Sequence, residues 1–90
     1  MVSLIQGIFV KECSISENEM IEIYKKIGSN VKRIRMNKKL TQLELSLSIG
    51  HKAVGTISMC EIGLNNKHFN IEHLYKIADV LEVDVCEFFK

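Results

Sequence analysis

The stretch TQLELSLSIGHKAVGTISMCEIG, Thr41 to Gly63, decides the fold. Thr41 and Glu44 stand three apart, the spacing at which a hydroxyl and a carboxylate satisfy orphan amides at a helix start. From there Leu45 and Ile49 fall on the inner side of a short helix, and Gly50 supplies its C-terminal stop. A further helix is expected from about Ala53 to Ile62, with Ile57 and Cys60 on its buried side and Gly63 closing it. Two short helical patterns therefore meet at Ser48-Ile49-Gly50-His51, in a stretch without any catalytic motif.

Upstream, Ser16 and Glu19 read as another capping box, and Met20, Tyr24, Ile27, Val31 and Ile34 recur at helical spacing. One helix is expected from about Glu17 to Asn37, loosened near Gly28-Ser29-Asn30. Downstream, LNNKHFN is rich in turn formers and has no apolar period. Asn70 can cap a fourth helix carrying Ile71, Leu74, Ile77, Ala78 and Leu81, and DVCEFF makes a last short one with Val85, Phe88 and Phe89. No segment shows sustained alternation, so the expected fold is all-α with five helices. Residues 1–22 form an N-terminal extension and the start of the first helix, and residues 23–90 form the helical domain. Its central pair is a helix-turn-helix, a unit whose second helix can enter a DNA major groove.

Composition narrows the function. Ninety residues make one small domain. The chain has no Pro and no low-complexity run. Its three cysteines, Cys13, Cys60 and Cys86, lie far apart with no Cys-x-x-Cys, which fits neither a disulfide framework nor a zinc site. They read as reduced thiols of a cytoplasmic protein, with Cys60 and Cys86 as small apolar fillers. The apolar segment MVSLIQGIFV meets Lys11-Glu12 too soon to span a bilayer and lacks the basic start of a signal peptide.

The net charge of +1 conceals a division along the chain. Residues 1–22 carry one Lys against four Glu, a net of −3. Residues 23–68 carry nine Lys or Arg against Glu44 and Glu61, a net of +7, and residues 69–90 return to −3. A basic centre between acidic ends suits a polyanion-binding surface.

The pieces IGSNVKRIRMNKKLTQLEL, TISMCEIG and IEHLYKIADVLEVDVCEFF, in this order, resemble the first two helices, the recognition helix and the two closing helices of the lambda-repressor-like, Xre/Cro-type helix-turn-helix regulators. The resemblance covers Ile27 to Phe89, and the ending NIEHLYKIADVLEV and the small size are most similar to the controller proteins of restriction-modification systems. It implies that Gln42 contacts the DNA backbone beside the site, and that Arg35 and Glu61 form an ion pair joining the first and third helices. The loop holding Asn65, Asn66, Lys67 and His68 is implied to lie against phosphates, as the electrostatics of Lys38 and Lys39 also suggest. Dimerisation is implied through the last two helices, where Leu81, Val83, Val85, Phe88 and Phe89 offer more apolar surface than a small core is expected to hide.

The departures from the family pattern bear on specificity. One extra residue lengthens the turn HKAVG, and the usual readers Gln, Asn and Arg are missing after it. Lys52 can reach guanine acceptors, Ala53 or Val54 a thymine methyl, and Thr56, Ser58 and Met59 further positions. His51 and His68 are candidate phosphate donors. Gly55 weakens a helix unless it permits close backbone approach or lies in the turn. Such a surface leans on phosphate contacts and DNA shape. Leu43 and Leu47, four apart, stand where the family is polar and need a cover, for which Leu4-Ile5 and Ile8-Phe9-Val10 are the available apolar segment.

The expected protein is a regulator that binds double-stranded DNA sequence-specifically as a homodimer on a two-fold-related operator. The competing readings are an antitoxin or phage-type repressor with a protein partner, and a protein-interaction module with no DNA role. No Gly-rich phosphate loop, nucleophile with a base, or separated carboxylate pair suggests an enzyme, and no cofactor, metal or membrane partner is expected.

Overall fold

The computed structural model describes residues 2–5, 7–50 and 54–90, with side chains at 7, 10–50 and 54–90. The helix-turn-helix fold is all-α as expected, with four α-helices rather than five, and a hairpin that the sequence did not indicate precedes it: strands β1 (Val2–Ile5) and β2 (Ile8–Lys11) pair antiparallel, Val2 opposite Lys11 and Leu4 opposite Phe9. Each run is four residues long, too short to display an alternating pattern. The link has only two residues, and Gly7 takes φ +80° there, the conformation that tight hairpin turns demand.

Helix α1 spans Glu17–Asn37, and its N-cap Ser16 accepts from the Glu19 amide at 3.1 Å. It runs unbroken through Gly28-Ser29-Asn30, correcting the expected loosening. Gly28 answers a packing demand instead: a Cβ there would lie 2.3 Å from the Cys60 carbonyl oxygen and 2.7 Å from that of Glu61. Gly28 lets α1 touch the backbone of the helix across from it. Asn30 is held as well, its Nδ2 donating to the Phe88 carbonyl at 2.9 Å.

Helix α2 (Gln42–Ser48) has the full capping box of Thr41 and Glu44 and stops at Gly50, whose φ is +80°. Helix α3 (Val54–Ile62) ends at Gly63, followed by a 3₁₀ turn Leu64–Asn66. Helix α4 (Ile71–Leu81) is capped by Asn70, which accepts from the His73 amide at 2.7 Å while His73 Nδ1 accepts from the Asn70 amide at 3.2 Å. The described chain closes with a 3₁₀ helix Val85–Phe89, so the expected fifth α-helix is this tighter turn, started by Asp84 accepting from the Cys86 amide at 2.9 Å.

One core joins these elements: Ile27, Val31 and Ile34 of α1 pack with Leu45, Ile49, Ile57, Cys60, Leu74, Ile77, Leu81 and Phe88. The N-terminal half of α1 contributes no buried residue and extends beyond the core, where Tyr24 stacks on His68 with ring centroids 3.8 Å apart. Further corrections follow. Cys86 is exposed rather than a filler, while Cys60 is buried. Ile71 lies at the first position of α4 and is exposed despite its spacing. Leu81 and Phe88, expected in a dimer interface, are 1% and 0% exposed within a single chain, because the closing 3₁₀ helix folds back against α1 and α4.

Candidate nucleic-acid interface

The helix-turn-helix is clamped from below by one buried charge network. Arg35, near the end of α1, donates from Nε to Glu61 Oε2 at 2.7 Å and from Nη2 to Glu61 Oε1 at 3.1 Å. Its Nη1 donates to the Leu40 carbonyl at 2.7 Å, which holds the chain entering α2. Gln42, the first residue of α2, donates from Nε2 to the same Glu61 Oε1 at 2.9 Å. The side chain of Glu61 is 0% and that of Arg35 8% exposed. A two-pronged guanidinium and an amide thus lock α1, the start of α2 and α3 in one orientation.

The implied ion pair of Arg35 and Glu61 is present in this geometry. Gln42 stands at the start of α2, where its implied contact to the DNA backbone places it, and its side-chain amide also donates to Glu61. Sequence reasoning could not find this bond, because a contact across 19 positions leaves no periodic trace. Gly28 was visible only as a glycine inside a helix, and its close approach needed the neighbouring helix.

Helix α3 buries Ile57, Cys60 and Glu61. Its period places Gly55, Met59 and Ile62 on the opposite side, flanked by Ser58 and Thr56, with Val54 beside the buried edge next to Glu61. Val54 and Gly55 are exposed, and Thr56, Ser58 and Met59 half-buried. Burial pushes the Cys60 thiol pKa up, so this cysteine behaves as an apolar filler. Lys52 and Ala53, together with His51, lie outside the described residues.

Basic and amide side chains stand before and after the helix pair along the chain. Lys38 caps the end of α1, exposed, and Lys39 follows with φ +61°. Beyond α3, Asn65 and Asn66 adopt φ 55° and 58°, left-handed positions that Asn tolerates, and present exposed side chains beside exposed Lys67. His68 is committed to Tyr24, and its Nδ1 lies 3.4 Å from the Phe69 carbonyl. Leu43 and Leu47 stay 55% and 64% exposed, so no described side chain provides the cover expected for them. Among the described residues, no group of three His, Cys, Asp or Glu is placed to hold a metal, and no helix is long and apolar enough to cross a membrane.

A short capped helix, a glycine-stopped turn and a second helix with an open outer side define a helix-turn-helix protein. The helix-turn-helix family model matches residues 31–88, and the chain belongs to that family of lambda-repressor-like, DNA-binding regulators. A search of curated proteins gave no match.

Proposed function

We infer that the chain is a sequence-specific regulator that binds double-stranded DNA as a homodimer on a two-fold-related operator. The observation carrying this reading is the clamp of Arg35, Gln42 and Glu61, which fixes the orientation of α3, whose outer side is exposed, in a part of the chain where Lys38, Lys39 and Lys67 are exposed too. Residues 23–90 form the DNA-binding domain and residues 1–22 the extension with the start of the first helix. Val54, Thr56, Ser58 and Met59 are the groove-contacting candidates of α3, to which the sequence adds Lys52 and Ala53, while Gln42, Lys38, Asn65, Asn66 and Lys67 meet phosphates. The segment NIEHLYKIADVLEV favours a controller protein of a restriction-modification system within this class.

Of the closing segment, Phe89 (51% exposed) is the member available to a second copy, with Val83 and Val85 half-buried beside it. A 90-residue chain reaches useful affinity and half-site spacing by pairing two α3 helices about one DNA turn apart. The exposed Leu43 and Leu47 favour a second reading, an antitoxin or phage-type repressor whose α2 also takes a protein partner. Sedimentation with and without an enriched duplex tests the first reading: two chains per duplex are expected, and a single chain per duplex or no complex would contradict it.

A further inference from the structure

The stretch of α1 from Glu17 to Lys26 includes no buried residue, and the part of the helix held by the core starts at Ile27. A helical stretch this short has little stability of its own in water, and its Ile23 stands 42% exposed. Glu19, four residues before Ile23, and Lys26, three after, flank it on one side of the helix, and both are exposed. Glu22 pairs with Lys25 at 3.8 Å, whereas Glu19 and Lys26 meet no opposite charge among the described residues. They lie about 10 Å apart along the axis, too far to pair with each other. Helix α3 packs on α1 at Gly28, about 140° or more around the helix from all three residues, so this surface faces away from it.

An acid and a base at nearly equal distances on either side of an exposed isoleucine make a self-complementary surface. A second α1 laid antiparallel across it, with the two-fold axis at Ile23, brings Glu19 of each copy to within about 1.5 Å of the height of the other's Lys26. A partner surface of one sign would satisfy only one of the two charges. Asn30, seven residues beyond Ile23 on the same side, holds the Phe88 carbonyl at 2.9 Å. The closing 3₁₀ helix with its exposed Phe89 therefore adjoins this surface, at the height to which the two-fold brings the other copy's exposed Ile15. Resting on the homodimer reading above, we propose that two copies pair through the projecting halves of α1, antiparallel about Ile23, with reciprocal Glu19–Lys26 ion pairs and Phe89 extending the apolar contact. Such a dimer uses neither α2 nor α3 and leaves both open on each copy.

The test is charge exchange in the full chain, read by sedimentation at fixed salt. Glu19→Lys or Lys26→Glu turns two attractions into two repulsions and should weaken the dimer by about tenfold, while the double exchange should bring it back to about the parent's strength. Ile23→Ser, which changes no charge, should weaken it as well. All four variants should still melt cooperatively by circular dichroism, since none of these side chains enters the core. Single exchanges that dimerise like the parent, or a double exchange as weak as the singles, would overturn pairing through α1 and leave the homodimer reading intact with its interface elsewhere. A parent chain that stays a single copy both alone and on a duplex enriched from a random-sequence library would overturn both.

Discussion

Glu61 is the residue on which the orientation of α3 turns. Its carboxylate accepts from two Arg35 nitrogens and from Gln42, all within 3.1 Å. Glu61→Ala leaves a buried guanidinium without its counter-charge and should cost about 3–5 kcal/mol, read as a lowered midpoint in urea unfolding. An unchanged midpoint would show that the network does not hold the helices. Gly28→Ala should also destabilise, by about 3 kcal/mol, because the obstructing atoms are backbone carbonyls that cannot step aside. The two residues differ in legibility. Resemblance to a family could pair Arg35 with Glu61, whereas the task of Gly28 exists only once α3 lies against it.

Elements were legible where local chemistry determines them. Thr41 with Glu44, and Asn70, cap the helices at which their spacing placed them, since a cap is satisfied within four residues of itself. The hairpin escaped because two four-residue strands carry too little pattern, and the closing 3₁₀ helix because periodicity does not separate one helical type from another over five residues. Thr41→Ala should cost about 1 kcal/mol of unfolding free energy by freeing the Glu44 amide. The same cap predicts acid sensitivity. The Thr41 backbone amide, then its hydroxyl, hold the Glu44 carboxyl below its ordinary value near 4.5. A depressed folded pKa stabilises above the unfolded value and is lost as pH falls through the folded one. Thermal melts from about pH 6 to about pH 3 should therefore fall more steeply for the parent than for Glu44→Gln. Parallel curves would contradict this role.

Across the whole molecule the sequence separates acidic ends from a basic middle, and that middle contains the clamped helix pair. Interfaces between copies were the least legible feature. Leu81 and Phe88 carry the same apolar signal whether they meet another chain or their own core, and here they meet the core. Phe89→Asp changes a half-exposed ring and should yield a folded monomer by sedimentation, whereas an unchanged dimer would place the interface elsewhere. The central claim, that duplex DNA binds across α3 through phosphate and groove contacts, is tested most directly by the salt dependence of affinity for one enriched duplex. The logarithm of affinity should fall linearly with the logarithm of salt at a slope near −0.9 per neutralised phosphate, and Lys67→Ala should flatten it by about one unit per protomer. Binding indifferent to salt, or a slope unchanged in Lys67→Ala, would contradict it.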